Sequence, residues 1–249
     1  MRVFALGALG LAAGCGRRVP SAGSANSPHR PTALVYRGPA GCQGCSEPVA
    51  ALLQTAPSPF NVVYCGPGED VQLSAQTLSS AVLYVQPGGG DDVDLAWSEM
   101  RRYADDIRKW VRGGGHYLGI CMGGYLAGFH PGFGLLPGDS REYITAAGAT
   151  VRTEGDAMVT VSWRGQSRHL YFQDGPYFTL RPNSYATVLA TYSNGLAAAV
   201  VARYGKGSVG VCGPHPEAPS SWYTESGLAN PDGGRLDLGY DLVEATIKT

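Results

Sequence analysis

The chain has 249 residues, with 19 Lys plus Arg against 20 Asp plus Glu. That near balance provides no basic field for nucleic acid and no acidic tail for cationic partners, so no nucleic-acid partner is expected. The length suits one sizeable α/β domain plus an export segment rather than two full domains. With 36 Gly and only 16% charged residues, the composition is that of a compact, turn-rich fold and not of a disordered chain.

Met1-Arg2, an apolar run over 3–13 and the small Gly14 before Cys15 read as a targeting segment too short to span a bilayer. Leu11-Ala12-Ala13-Gly14-Cys15 resembles a bacterial lipoprotein processing site, which implies cleavage before Cys15 and lipid attachment to it. The expected location is therefore extracytoplasmic, with the membrane as partner through the lipid. Residues 16–31, rich in Ser, Gly, Pro and Arg, read as a flexible tether. The domain proper then takes 32–249.

Within the domain, the apolar run over 32–36 ends in Gly and Pro, as a buried parallel strand feeding a loop does. Comparable runs cover 60–64, 81–85 and 117–120. Between the last two, Leu95, Met100, Tyr103, Ile107, Trp110 and Val111 fall near helical spacing and predict a helix over 95–111. This rhythm predicts an α/β fold, a doubly wound and mostly parallel sheet with helices on both faces. Over 143–192 the pattern changes to alternating segments, notably 158–163 and 169–172, which predict antiparallel additions in the second half. Residues 196–204 and 208–212 form a predicted hairpin around Gly205-Lys206-Gly207, and its second strand delivers Gly213-Pro214-His215-Pro216-Glu217. A last amphipathic helix is expected over 236–247.

Three elements carry chemistry. Gly119-Ile120-Cys121-Met122-Gly123-Gly124 follows a strand and precedes a helix-compatible run, the context of a nucleophile elbow. A cysteine at a helix N-terminus is favoured as thiolate, and the free N–H groups beside it can hold an oxyanion. His215 and Glu217 lie two apart on an extended segment, so both point to one side and the carboxylate can orient the imidazole that a thiol nucleophile needs. Pro87-Gly88-Gly89-Gly90-Asp91-Asp92 follows the strand at 81–85, and its backbone N–H groups can complete an oxyanion hole with that of Met122. Taken singly, each has a plain structural reading: a small buried cysteine, a loop histidine beside a solvated glutamate, a flexible turn.

In this order and at strand ends, the three elements together resemble the class I glutamine amidotransferase-like superfamily, over most of 32–217. The resemblance implies a flavodoxin-like fold with Cys121 as nucleophile, His215 as base, Glu217 as its orienter, and Gly89 or Gly90 with Met122 as oxyanion donors. Val35-Tyr36-Arg37-Gly38-Pro39, Gln86-Pro87-Gly88-Gly89, the elbow through Tyr125, and Gly175-Pro176-Tyr177-Phe178 are similar to the N-terminal domain of eukaryotic biotin protein ligases. No ligase domain follows, so biotinylation is not implied. Glutaminases of the superfamily usually have glutamine four residues after the nucleophile, where this chain has Tyr125, so a typical glutaminase is not expected either.

The remaining cysteines are Cys42, Cys45, Cys65 and Cys212. In an exported chain a bridge from Cys65 to Cys42 or Cys45 is one expectation, and a redox Cys42-x-x-Cys45 pair is another. No second ligand pair at zinc spacing accompanies them, so no metal is expected. Cys212 is expected to pack within its strand. Asp91, Asp92 and Asp94 read as solvent-facing, and Tyr125, Tyr177 and Trp222 as core, rim or pocket-lining aromatics. The leading functional expectation is an exported cysteine hydrolase or acyl transferase, without cofactor, acting on an amide or related carbonyl of a small molecule or peptide. Two alternatives stand beside it: a ligand-binding lipoprotein using the same pocket without turnover, and a thiol-redox protein using Cys42 and Cys45.

Overall fold

Alternate residues of the first strand enter two different cores: Ala33 and Val35 pack on one face of the sheet, Leu34 and Tyr36 on the other. Period-two side-chain alternation with both faces covered is why this segment is apolar throughout. The computed structural model describes residues 30–249. The export segment expected at 1–15 and most of the tether expected at 16–31 therefore lie outside the described residues.

The first half runs β1 (Thr32–Tyr36), α1 (Ser46–Thr55), β2 (Asn61–Cys65), α2 (Ala75–Ser79), β3 (Leu83–Gln86), α3 (Val93–Met100), α4 (Ala104–Gly113), β4 (His116–Ile120) and α5 (Met122–Leu126). The second half runs β5 (Gly138–Glu142), β6 (Ala157–Trp163), β7 (Gln166–Phe172), β8 (Pro176–Leu180), β9 (Ala186–Tyr192), β10 (Ala197–Tyr204), β11 (Gly207–Cys212), α6 (Ser220–Glu225) and α7 (Asp237–Lys248). Strands β2, β1, β3, β4 and β11 lie side by side in that order and are all parallel. This is the flavodoxin-like order, with β11 in the fifth place. The sheet continues antiparallel through β10, β9, β6 and β7, while β8 pairs with β10 and β5 with β8.

One core holds Val49, Leu52 and Leu53 of α1 with Leu238, Leu242 and Val243 of α7 against Val35, Val85 and Leu118. The opposite core holds Leu78 of α2, Met100 of α3, Ile107 and Val111 of α4 and Leu126 of α5 against Tyr36, Tyr84 and Tyr117. The single helix expected over 95–111 is instead α3 and α4, joined by a 3-10 turn at Arg101–Tyr103. Met100 and Ala104 stay buried on either side of that turn. Helical spacing therefore survives across it, and a period of 3.6 cannot register so short a tightening. Leu95, read as part of the apolar face, is 61% exposed. The hairpin of β10 and β11 closes on two residues, Gly205 and Lys206, with Gly205 at φ 67°.

Candidate active site

Strands β4 and β11 are parallel neighbours with Ile120 opposite Cys212, and the pairing continues one step further where the Cys121 N–H donates to the Cys212 carbonyl at 2.9 Å. Both strands thus release their chains at the same edge of the sheet, where open α/β folds build their sites. Cys121 turns out of β4 at φ 51°, ψ −108°, and α5 begins at the next residue. Few non-glycine residues tolerate that conformation. The turn closes tightly because Gly123 sits directly on β3: a Cβ there would lie 2.1 Å from the Gln86 carbonyl oxygen. The Gly124 and Tyr125 N–H groups donate to the Cys121 carbonyl at 2.8 and 3.1 Å, while that of Met122, the first of α5, has no intrahelical acceptor and can face a ligand beside the thiol.

The segment after β11 carries His215 and Glu217. The His215 N–H donates to the Tyr171 carbonyl at 2.9 Å, anchoring this segment to β7. The ring of His215 is 3% exposed and meets Trp222 edge-on at 5.4 Å and Tyr171 at 5.8 Å. Its Nδ1 lies 2.8 Å from Glu217 Oε1. Glu217 itself is 1% exposed, and its Oε2 has no hydrogen-bond partner among the described residues. Burial pushes the imidazole down, but the Glu217 carboxylate bonded to its Nδ1 and the nearby Cys121 sulfur outweigh it, and the net result is a pKa raised to about 10. The thiol of Cys121 neighbours the ring and also lies 3.5 Å from the Gln173 carbonyl oxygen.

In front of the thiol opens a cavity of about 1120 Å³, bordered by Gly89, Gly90, Met122, Tyr125 and Tyr177 among others. All the residues named from sequence around the elbow are thus brought to one place. Of the two loop glycines, Gly89 is the one packed on the elbow, since a Cβ there would lie 2.6 Å from the Met122 side chain, whereas Gly90 faces open space. Tyr125 donates its hydroxyl to the Asp174 carbonyl at 3.1 Å, and burial, then the charges of Asp174 and Cys121, raise its pKa. Trp222 does not line the cavity. It packs edge-on against His215.

The expected bridge to Cys65 does not form. Cys42 and Cys45 pair with each other at a Cα separation of 5.4 Å, while Cys65 is free and buried. Cys65 sits at the end of β2, fully buried in the core with Tyr36 and Tyr84, and burial raises its thiol to about 12. Cys212 is likewise buried and free, with its thiol pushed well up by burial first and then by the charges of Glu217 and Cys121. Cys42 borders the cavity. Asp91, Asp92 and Asp94 are exposed but border it too.

Three contributors were not singled out from the sequence. Gly88, not only its neighbours, fits the site, because a Cβ there would lie 3.0 Å from the His215 ring. Gln173 supplies the carbonyl facing the thiol, and Asp174, at φ 45°, places a carboxyl oxygen out of solvent with no partner among the described residues. The position of Asp174 next to Gly175, in a turn between two alternating segments, was the available signal. Burial and the nearby charges of Glu142, Glu154 and Asp91 raise the Asp174 carboxyl to about 7.

Residues 32–135 match the family described as biotin-protein ligase, N terminal. The chain is 30% identical over 153 residues to imidazole glycerol phosphate synthase subunit HisH 2 of Prochlorococcus marinus, covering 56% of this chain and 71% of that one. It is 39% identical over 93 residues to the HisH subunit of Gloeobacter violaceus, covering 34% and 41% respectively. Among solved structures, PurLQS of Thermotoga maritima superposes with a TM-score of 0.59 at 18% identity, over 88% of this chain and 98% of that chain. A glutamine amidotransferase of Methylobacillus flagellatus gives a TM-score of 0.52 at 17% identity, over 79% and 74%. At these identities the two structures speak to the fold alone.

Proposed function

The chain belongs to the class I glutamine amidotransferase-like superfamily, with similarity to the biotin-protein ligase N-terminal family, and from that premise we propose a cysteine-dependent hydrolase or acyl transferase acting on an amide or related carbonyl. The observation that carries the reading is the buried His215–Glu217 pair at 2.8 Å beside a cysteine held at φ 51° on a strand-to-helix elbow. A buried imidazole oriented by a carboxylate is placed to exchange a proton with the neighbouring thiol.

In the proposed reaction the Cys121 thiolate attacks the carbonyl carbon, and the oxygen takes the displaced electron pair. The N–H groups of Met122 and Gly89 stabilise that oxyanion. The C–N bond then breaks as the His215 imidazolium gives its proton to the leaving nitrogen, which departs as an amine or ammonia. Water adds to the resulting thioester while His215 takes a proton from it. Loss of the acid restores thiolate and imidazolium. A nucleophile other than water in the last step makes the same chemistry an acyl transfer. Glu217 holds Nδ1 and leaves Nε2 to exchange protons. Tyr125, in place of the glutamine found in glutaminases, supports a substrate other than free glutamine.

The test is p-nitrophenyl acetate followed by mass analysis. A burst of nitrophenol and one acetyl group on Cys121 are expected, with the burst lost in Cys121→Ser and slowed at least about a hundredfold in His215→Gln. Acetylation at any other residue, or a burst indifferent to His215, removes the reading. As part of the same proposal the protein is exported and anchored by a lipid on Cys15. A redox role for Cys42 and Cys45 is a second reading, favoured by their pairing at the border of the cavity.

A further inference from the structure

The carboxylates of this chain are not evenly spread. Six of them, Asp91, Asp92, Asp94, Glu142, Glu154 and Asp174, border the cavity in front of Cys121, against one guanidinium, that of Arg141. The chain as a whole is nearly balanced, at 19 basic to 20 acidic residues, so an excess of this size at one cavity is a local segregation. None of the six forms an ion pair among the described residues. His130, the other lining residue able to carry positive charge, is engaged by Asp139 at 3.1 Å.

Asp174 ties this charge to the nucleophile. Its neighbour Gln173 lies against the Cys121 sulfur, and its own backbone is held at φ 45°. Its Oδ1 is out of solvent and without a partner among the described residues. The side chain as a whole is half-buried and borders the cavity, where a cationic group would favour its ionised form. Glu142, Glu154 and Asp91 each act on the Asp174 carboxyl, so these groups face one cavity and not separate stretches of solvent. They are nonetheless dispersed. Among the described residues no three His, Cys, Asp or Glu side chains gather closely enough to hold a metal ion.

Resting on the reading of Cys121 as nucleophile, we propose that the substrate is an amide of net positive charge, with an ammonium or guanidinium group and no carboxylate to offset it, drawn in and held by the carboxylates around the cavity. An extended organic cation matches charge spread over the β3–α3 loop, the end of β5 and the β7–β8 turn, where a compact ion would not. A field of this sign concentrates cations at the cavity and repels anions. It also works against a substrate of net negative charge.

Three small alkylating agents differing in charge test this directly: 2-bromoethylamine, iodoacetamide and iodoacetate. Their rates at Cys121 are read by peptide mass spectrometry, each divided by its rate with free N-acetylcysteine. At low salt the cationic reagent should gain about tenfold or more over the neutral one, with iodoacetate disfavoured. The gain should shrink as salt rises from about 10 mM to about 500 mM. Asp174→Asn and Glu154→Gln should each lower the cation-to-neutral ratio severalfold. Glu154 lies on an exposed loop, so its variant keeps the test open if Asp174→Asn fails to fold. Equal normalised rates for the three reagents, with iodoacetamide still labelling Cys121, would overturn the cation preference and leave the nucleophile standing. Failure of all three to label Cys121 would overturn both.

Discussion

Glu217 gives one buried oxygen to His215 at 2.8 Å, and its other oxygen has no partner among the described residues, so the imidazolium is the counter-charge the carboxylate has. A buried carboxylate left without that counter-charge would be strongly destabilising. The arrangement fixes the direction of a pH dependence. Because the folded His215 is raised to about 10 from an ordinary 6.5, its contribution to stability is complete below about 6.5 and is lost as pH rises through about 10. In Glu217→Gln the largest support for the charged ring is gone and burial dominates, so the ring becomes neutral at lower pH. Denaturant unfolding at pH 7 and at pH 10 should therefore differ less in the variant than in the native chain. At pH 7 the rate of Cys121 acylation should fall by about 100-fold to 10,000-fold, as loss of an orienting carboxylate does elsewhere. An unaltered pH profile in both measurements would show that Glu217 does not govern the ring.

The turn from β4 into α5 shows the cost of presenting a thiol. Cys121 sits at φ 51°, ψ −108°, where a Cβ is strained, while Gly123 lets the first turn of α5 lie on β3. Replacing Cys121 by glycine should therefore give a more stable protein than replacing it by alanine, by about 1–2 kcal/mol in denaturant unfolding. Equal stability of the two variants would mean that the elbow relaxes and stores no strain. This element was legible in the sequence because its parts are local: an apolar run at 117–120, small residues, then a helix-compatible stretch. The run at 208–212 was legible for the same reason, with both faces buried, and it carried His215 and Glu217 with it. Other parts of the site follow from pairing at a distance. Gln173 meets the thiol, with Asp174 beside it at the cavity, in a turn whose next strand, β8, pairs with β10 and β5, partners that no local pattern specifies. The partner of Cys45 was misread for a related reason: Cys65 ends the neighbouring strand, but its side chain is taken up by the core with Tyr36 and Tyr84.

At the scale of the whole molecule, a near-neutral chain concentrates negative charge at the mouth of its cavity, and the remaining question is where that cavity faces. Among the described residues no helix is long and apolar enough to cross a membrane, so the proposed attachment rests on the apolar run before Cys15. Lipid attachment holds firmly when more than one acyl chain is present, since each buried methylene adds about 0.8 kcal/mol. Expressed in a bacterium from Met1, the protein should partition with membranes, and Cys15→Ala should leave an unprocessed precursor. Mass analysis of the mature N-terminus decides between outcomes, because a start at an unmodified residue removes the anchor. The Cys42–Cys45 pair supplies an independent reading of the same question. In an oxidising compartment the two should resist alkylation until reduced, whereas Cys65 and Cys212 are thiols that only unfolding exposes. Recovery of Cys42 and Cys45 as free thiols from freshly quenched cells, together with an intact Met1, would place the domain in a reducing compartment and remove export from the proposal while leaving the chemistry of Cys121 untouched.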